Sequence, residues 1–425
     1  MPSTIDPTSL AGKEFAVAEH VPLLVVGAGA AGLAAANEAA RLGLHVMLVD
    51  EHPVASALIG LDIPYLFGER LDAAVQNKAR MLERVVAARP EVETAFELGV
   101  DVHLGTYVWG AFVEGPTSRA LPRRMLGLAD EDRSWLVSFD RIVVAAGARD
   151  LALAFPGWDR PGVVGAHGAR AAIGLYQAFS ARRVVVLGAG TLGLRMAKQA
   201  HDAGLRVAAI VDVNAPQPGD ALSAVRQLDI PVHAGHAVRA TNGTIELDGI
   251  RIAPLSAPDA AFDIGCDTII SALDLVPNIE LFDLLGCATS WRPELGGFVP
   301  ALDANGRCSV PGIYAAGDCT GITDAAIENS SHGTTAGLRA ARAAAKDAGL
   351  ELDDDTPVPP VDAASADRDA MRRQWLRTHA AAGTDPMICR CEEVGLRDLL
   401  GVRPPRYLPN KETSFAQRDL RSLAA

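Results

Sequence analysis

The sequence predicts an α/β protein with two dinucleotide-binding folds of the Rossmann type. The pattern Gly-x-Gly-x-x-Gly occurs twice, each time after a run of apolar, β-branched residues and before a helix-like run. Its glycines are Gly27, Gly29 and Gly32 in the first copy and Gly188, Gly190 and Gly193 in the second. A second strand-like run then ends in an acid in each case, at Asp50 and at Asp212. The two copies therefore predict two nucleotide-binding units in one chain.

Each residue type in this pattern has a physical role at a phosphate-binding turn. The first glycine permits the tight turn, the second lets backbone N–H groups approach a pyrophosphate, and the third lets the helix pack closely on the strand. A carboxylate about 20 residues further on suits the hydroxyls of an adenosine ribose, and Asp50 and Asp212 stand close to that offset. The alternative, a glycine turn that binds nothing, is weaker for the first copy than for the second.

The second copy leaves two alternatives open. Asp212 favours an unphosphorylated ribose, because a 2′-phosphate would require a nearby arginine and residues 213–216 contain none. NAD or ADP-ribose therefore fits better than NADP. The fold could also be an empty scaffold, which is the weaker alternative, since glycine-rich geometry establishes only that a ligand would fit.

Composition narrows the class of protein. The 425 residues are enough for two or three domains, and a net charge of −13 argues against nucleic acid as a partner. The sequence contains no apolar run long enough to span a bilayer, and residues 1–20 lack the pattern of a signal peptide. Six cysteines in this length do not make a disulfide framework. We expect a cytoplasmic protein.

The order of elements predicts that the second fold is inserted in the first. After the first βαβ unit the sequence predicts a helix over 72–88, a small antiparallel excursion, and a strand over 141–145. A strand over 313–316 and an Ala-rich helix follow the second fold and would complete the first sheet. The predicted boundaries are a flexible tail at 1–20, the first fold at 21–155 and 290–350, the inserted fold at 156–289, a linker at 351–386 that carries a basic helix over 368–379, and a C-terminal segment at 387–425.

Two further glycine positions extend the first site. Gly147 follows the strand at 141–145, and Gly317-Asp318 follows the strand at 313–316. A carboxylate at such a strand end can accept hydrogen bonds from ligand hydroxyls, or it can cap the next helix. Taken alone the two interpretations are even, and the nearby glycine pattern favours the ligand.

This combination resembles the flavoproteins with two dinucleotide-binding domains, the thioredoxin-reductase and ferredoxin-reductase-like group, over residues 21–348. The resemblance implies FAD in the first fold, at Gly27, Gly29, Gly32, Asp50, Gly147, Gly317 and Asp318. It implies NAD or another adenine nucleotide in the inserted fold, at Gly188, Gly190, Gly193 and Asp212. The chain lacks the Gly-Gly-Gln that often follows the second strand in this group, and has Ala55–Gly60 there.

The cysteines of the two folds argue against a dithiol reductase. Such enzymes need two thiols close together in sequence beside the flavin, whereas Cys266, Cys287, Cys308 and Cys319 are all isolated. We expect each to be a small buried residue.

The C-terminal segment carries a different cysteine pattern, Cys389-Arg-Cys391. Two thiolates suit iron or zinc but supply half of the usual four ligands, so spacing alone leaves a metal site and a surface thiol pair open. The segment 389–407 resembles the start of a bacterioferritin-associated-ferredoxin-like [2Fe–2S] domain. That family has a second cysteine pair some thirty residues later. Here the sequence is truncated, the missing ligands come from another chain, or the site is degenerate.

Together, residues 21–410 resemble the FAD-containing alpha subunits of heteromeric amino- and imino-acid dehydrogenases. These include opine oxidases, hydroxyproline dehydrogenases, cyanide-forming glycine dehydrogenase and the alpha chain of sarcosine oxidase. The resemblance implies a D-amino-acid-oxidase-like beta subunit that oxidises the C–N bond of a small amine. This chain would carry the electrons through its FAD and [2Fe–2S] centre to an acceptor that the sequence does not identify.

No catalytic residue is assigned on this basis. Four side chains could lie near the flavin, and for each a capping or core role is favoured: Arg149, His167, Glu328 and His332. The alternative function is an NADH-dependent flavin reductase that delivers electrons to a ferredoxin-like protein. A third alternative is a non-catalytic scaffold without flavin.

Overall fold

The computed structural model describes residues 9–53, 78–115, 119–179, 181–352, 367–380, 385–389 and 394–401. The strands in this part of the chain are β1 (Val17–Val26), β2 (Val46–Asp50), β3 (Asp101–Leu104), β4 (Tyr107–Phe112), β5 (Met125–Ala129), β6 (Ser134–Val144), β7 (Ala148–Asp150), β8 (Val163–Gly165), β9 (Arg183–Leu187), β10 (Arg206–Asp212), β11 (Val232–Ala234), β12 (His236–Asn242), β13 (Gly249–Pro254), β14 (Phe262–Gly265), β15 (Thr268–Ser271), β16 (Leu275–Pro277), β17 (Thr289–Arg292), β18 (Gly297–Pro300), β19 (Ile313–Ala315), β20 (Met387–Cys389) and β21 (Val394–Gly395).

The α-helices of the same described ranges are α1 (Ala30–Arg41), α2 (Lys78–Ala88), α3 (Glu91–Glu97), α4 (Ala166–Arg170), α5 (Thr191–Asp202), α6 (Asp220–Gln227), α7 (Glu280–Leu284), α8 (Asp324–Glu328), α9 (Ser331–Asp347), α10 (Asp367–Ala380) and α11 (Leu396–Gly401). A π-helical turn at Ala171–Leu175 continues α4, and 3₁₀ turns lie at Pro293–Leu295 and Asp318–Thr320.

The first sheet is a parallel core with an antiparallel edge. Its strand order is β3-β2-β1-β6-β5-β4, and β19 pairs in parallel with the second half of β6. β4 and β5 are the antiparallel excursion that the sequence predicts. Because β19 follows the whole second sheet in the chain, the first sheet is completed only after the insertion.

The inserted fold has a five-stranded parallel sheet of order β11-β10-β9-β15-β8 and a separate antiparallel sheet of order β12-β13-β14. The short antiparallel pair β7–β16 connects the chain where it enters and leaves this fold. The two Gly-x-Gly-x-x-Gly patterns, at residues 27–32 and 188–193, are called the first and second fingerprint. Each fingerprint follows the central strand of its parallel sheet, β1 or β9, which is largely buried over its apolar run. Strands covered by helices on both faces read as continuous apolar runs, and this is why both were visible in the sequence.

Close contact between α1 and α9 fixes the helix that follows the first fingerprint. A Cβ added at Gly337 would lie 2.0 Å from the carbonyl oxygen of Ala31, so only glycine allows this approach. Arg342 of α9 also forms an ion pair of 2.9 Å with Glu38 of α1. The last helix of the first fold therefore holds α1 in position over the sheet.

Two predicted boundaries need correction. β1 begins at Val17 rather than Val21, because residues 17–20 pair with the first half of β6, and Leu10 donates to the carbonyl of Arg119 at 2.8 Å. The segment from residue 9 is therefore not a loose tail. The predicted basic helix exists as α10, but it is docked on the inserted fold rather than free in a linker, since Arg368 is 4% and Trp375 3% exposed.

The described part of the chain contains no helix that is both long and apolar enough to cross a membrane. Of the helix predicted over 72–88, the part before residue 78 lies outside the described residues, as does Ala55–Gly60.

Candidate cofactor site

A cavity of about 590 Å³ lies at the carboxyl end of the first parallel sheet. This is where ligands bind in open α/β folds, and the volume falls in the usual range for cofactor pockets. Its lining brings together all but one of the residues that the sequence assigned to the first site, namely Gly27, Gly29, Asp50, Gly147, Gly317 and Asp318. The exception, Gly32, packs beneath the turn.

The first glycine turn presents an open helix N-terminus to this cavity. Gly29 is the N-cap of α1, no side chain caps the helix, and its first turn contains no acid. A Cβ added at Gly29 would meet nothing within 4 Å, whereas one at Gly32 would lie 1.7 Å from the carbonyl oxygen of Gly27. The turn is therefore tightly packed on the side of Gly32 and open on the side of Gly29, as phosphate binding requires.

Asp50 ends β2 beside this turn. One carboxylate oxygen accepts the Ala28 N–H at 2.5 Å and the other accepts the His52 N–H at 2.7 Å. The guanidinium of Arg89 lies 3.9 Å away and donates to the Ala28 carbonyl at 3.0 Å. A carboxylate has about four acceptor positions, so these two donors among the described residues leave room for ribose hydroxyls.

Asp318 also lines this cavity. It follows β19, after Gly317 in a left-handed conformation with φ of 80°. Burial raises the pKa of Asp318, and Arg170 and Arg195 oppose that rise. Arg170 lies on α4 and Arg195 on α5, so two helices of the inserted fold bring positive charge to the carboxylate of the first fold.

His167 also lines the cavity, at the N-terminus of α4. Its backbone N–H donates to both carboxylate oxygens of Asp150 at 3.0 Å. Burial raises the pKa of Asp150 to about 6 and lowers the pKa of His167 to about 4. The imidazole is therefore neutral at pH 7, which suits a hydrogen-bonding role better than a charged one.

The other three candidate residues are not among those that line the cavity. Arg149 forms an exposed ion pair of 2.7 Å with Glu280 and bonds Asn278 at 3.1 Å. Glu328 is exposed at the end of α8, and His332 is half-buried in the first turn of α9. Neither Glu328 nor His332 lines the cavity.

The second fingerprint has the same backbone but different surroundings. Asp212 accepts the Ala189 N–H at 2.5 Å, as Asp50 accepts that of Ala28. It also accepts the backbone N–H of Asn214 at 2.7 Å and the side-chain amide at 3.0 Å. The indole of Trp375 in α10 lies beside it. Burial raises the pKa of Asp212, and these hydrogen bonds oppose the rise.

The four cysteines of the two folds are buried, as expected. Burial raises the pKa of both Cys266 and Cys319 to about 12, so neither is a ready thiolate. The sequence did not show that Cys287 and Cys308 lie in the same apolar cluster. Neither residue lines the cofactor cavity.

The C-terminal pattern falls on a short antiparallel pair, β20 with β21. Cys389 is the last residue of β20, and Cys391 lies outside the described residues. The indole of Trp158 donates to the Met387 carbonyl at 2.5 Å, which places this pair against the inserted fold.

Comparison with known proteins identifies the family. The pyridine nucleotide-disulphide oxidoreductase family matches residues 21–348. The chain belongs to that family. This membership, together with related oxidases, makes the chain an FAD-dependent oxidoreductase, and it implies sites for FAD and for a pyridine nucleotide.

Three relatives are named as components of multi-subunit enzymes. One opine oxidase subunit, from Agrobacterium tumefaciens, is 25% identical over 94% of this chain and 82% of its own length. The HcnB subunit of hydrogen cyanide synthase from Pseudomonas aeruginosa is 27% identical over 89% and 87%. The alpha subunit of sarcosine oxidase from Corynebacterium sp. is 27% identical over 84% of this chain but only 36% of its own length.

Solved structures agree on the fold. Thioredoxin reductase of T. acidophilum superposes with a TM-score of 0.55 at 20% identity and covers 77% of this chain and 99% of its own. L-proline dehydrogenase of P. horikoshii superposes with a TM-score of 0.54 at 18% identity and covers 89% and 66%. The predicted α/β fold of the thioredoxin-reductase type is confirmed.

The cavity fits FAD by its own chemistry. It combines an uncapped helix N-terminus, a carboxylate with acceptor positions to spare, and a second carboxylate flanked by arginines. Sequence reasoning missed Arg89, Arg170 and Arg195, because each comes from a separate part of the chain and no spacing connects them to the fingerprint.

Proposed function

We propose that this chain is the electron-transfer subunit of a heteromeric dehydrogenase that oxidises the C–N bond of a small amino or imino acid. The observation that carries the proposal is similarity to subunits of opine oxidase and hydrogen cyanide synthase along about nine-tenths of the chain. The amine would be oxidised in a D-amino-acid-oxidase-like partner subunit. FAD, when bound, supplies the ability to take up two electrons and release them to an acceptor.

We assign the FAD to the first cavity. The N–H groups at the start of α1, beside Gly27 and Gly29, would hold the pyrophosphate, and Asp50 would accept from the ribose hydroxyls. Gly147 and Gly317 line the cavity, and Asp318 would accept hydrogen bonds from the ribityl chain. This chain's own residues therefore bind and orient the cofactor.

The second fingerprint, with Gly188, Gly190, Gly193 and Asp212, forms the pyridine-nucleotide site of the same proposal. Its carboxylate is already hydrogen-bonded by Ala189 and by both nitrogens of Asn214, and Asn214 is bonded to α10. This geometry favours the electron-transfer subunit over the alternative NADH-dependent flavin reductase, because a reductase needs ready access of NADH.

We further assign Cys389 and Cys391 as two ligands of an iron–sulfur centre. The four other cysteines are buried within the two folds, so the remaining ligands of a four-thiolate centre would come from outside this sequence.

The test is an anaerobic reduction experiment on the complex and on the isolated chain. In the complex purified from its native host, we expect one of glycine, sarcosine, proline or an opine to bleach the flavin absorption. The isolated chain should retain its flavin bands under excess NADH. Stoichiometric bleaching of the isolated chain by NADH, with no response of the complex to any amine, would instead establish the reductase.

A further inference from the structure

The two fingerprints differ in how much of each turn faces solvent. In the first, Gly29 and Ala30 are exposed and line a cavity. In the second, Gly190 and Thr191 are half-buried, and neither lines that cavity. The backbone of both turns is the same, so the difference comes from the surroundings of the second one. There α8 packs on α5, the helix that begins at Thr191, and α10 lies beside Asn214, beyond the end of β10.

The helix α10 packs on the inserted fold near the carboxyl ends of its central strands. Trp375 is 3% exposed and belongs to the apolar cluster that contains Leu187 and Val211, at the carboxyl ends of β9 and β10. His379 stacks on the indole at 5.4 Å with an interplanar angle of 20° and bonds the Trp375 carbonyl at 3.0 Å. The ring is therefore held in this cluster.

Asp212 has fewer free acceptor positions than Asp50. Its carboxylate accepts from Ala189 and from both nitrogens of Asn214, whereas Asp50 accepts from two backbone N–H groups. Three donors leave one of the four acceptor positions of a carboxylate. The Asn214 amide also donates to the Met371 carbonyl of α10 at 3.3 Å, so the helix lies directly beside the acid. An adenosine ribose would therefore meet both a more fully bonded carboxylate and a helix at this position.

A buried ion-pair network attaches the start of the helix to both folds. Arg368 bonds Asp274, in the loop that follows β15, and Asp324, the first residue of α8, the latter at 2.6 Å. Arg372 adds a contact of 3.4 Å to Asp274. The Arg368 side chain is 5% exposed, so α10 closes the space between the inserted fold and the segment that follows the Gly317-Asp318 turn.

We propose that α10 occupies the second nucleotide site in place of a nucleotide. Trp375 then lies beside Asp212, where an adenosine ribose would bind. A pyridine nucleotide then has to displace the helix to enter. Its apparent affinity is reduced by the small fraction of molecules in which α10 has left. The inference does not depend on the amine substrate or on the partner subunit.

The experiment titrates the full-length flavoprotein with ADP-ribose, which carries the adenosine ribose and pyrophosphate but no redox group, in a calorimeter. Trp375→Ala removes the whole indole, and Trp375→Phe removes the indole N–H while keeping a ring. Leu376→Ala is the matched control, since Leu376 lies on the same helix and is 48% exposed. We expect Trp375→Ala to bind at least about tenfold more tightly than wild type, Trp375→Phe to fall between them, and Leu376→Ala to match wild type. Equal affinity in wild type and Trp375→Ala would overturn the proposal.

A second measurement uses the wild-type chain alone and does not rely on a variant folding. Amide hydrogen exchange over residues 367–380 is followed with and without 10 mM ADP-ribose (a concentration of order ten times a millimolar Kd). Faster exchange of α10 upon binding supports the proposal, because helix and nucleotide compete. Absence of binding by the wild type supports the proposal where Trp375→Ala binds, because the helix then closes the site, and overturns it where Trp375→Ala does not bind either. Binding with unchanged protection of α10 overturns it.

Discussion

At the scale of single residues, Asp150 and His167 are half-buried neighbours whose pKa values shift in opposite directions. Burial raises the pKa of Asp150 from 3.8 to about 6, so its contribution to stability is full below pH 3.8 and is lost as the pH rises to about 6. Burial lowers the pKa of His167 from 6.5 to about 4, so its contribution is full above pH 6.5 and is lost as the pH falls to about 4. As the pH rises from about 4 to about 6, the stability lost at Asp150 is offset by the stability regained at His167.

The substitution Asp150→Asn separates the contribution of Asp150 to stability from that of His167. Asparagine keeps an acceptor for the His167 N–H but has no charge to bury, so the cost of ionisation at neutral pH disappears. We expect similar free energies of unfolding at pH 4, and a gain in the variant of up to about 3 kcal/mol at pH 7, since the shift is about two pKa units. Urea denaturation followed by circular dichroism at pH 4, 5, 6 and 7 measures this. His167→Gln is the matched control and should show a gain at pH 4 instead. Parallel pH profiles for Asp150→Asn and wild type would contradict the assigned pKa.

At the scale of elements, the two fingerprints offer the same substitution in two surroundings. Gly29 and Gly190 are both N-caps with extended backbone, φ of −74° and −77°, and an added Cβ would meet nothing within 4 Å at either. Alanine is therefore compatible with the fold at both positions. At Gly29 the methyl group would project into the space assigned to the FAD pyrophosphate.

We expect Gly29→Ala to weaken FAD binding by about tenfold or more, equivalent to about 1.4 kcal/mol, with the secondary structure unchanged. Gly190→Ala should leave FAD affinity at the wild-type value, because that turn belongs to the other fold. Fluorescence titration of the flavin-free proteins with FAD gives both affinities, and circular dichroism checks folding. Equal loss of FAD affinity in the two variants would exclude the assignment of FAD to the first turn.

The elements also show what the sequence could predict. Both glycine turns and their following acids were predictable, because they depend on local backbone geometry and on strands buried on both faces. The docking of α10 was not, because its sequence is mostly polar and indicates an exposed helix. It docks through one tryptophan and through arginines that pair with Asp274 and Asp324, residues far away in the chain. Such long-range ion pairs leave no periodic signal.

At the scale of the whole molecule, the cofactor site depends on chain segments from both sides of the insertion. β19 adds to the first sheet beside β6, Asp318 follows it, and α9 packs on α1 through Gly337. All three follow the inserted fold in the chain. The first fold is thus incomplete until the residues after β18 are in place, even though its fingerprint lies near the start.

This arrangement predicts how two C-terminal truncations differ. A chain of residues 1–352 keeps every strand of both parallel sheets and should bind FAD, whereas residues 1–310 lack β19, Asp318 and α9 and should bind none. Absorption spectra after purification with added FAD distinguish the two, and circular dichroism reports on the inserted fold that both retain. The longer chain also lacks α10, so it should bind ADP-ribose more tightly than the full-length protein. Retention of FAD by residues 1–310 would show that the first half of the sheet suffices, and it would remove Asp318 from the site.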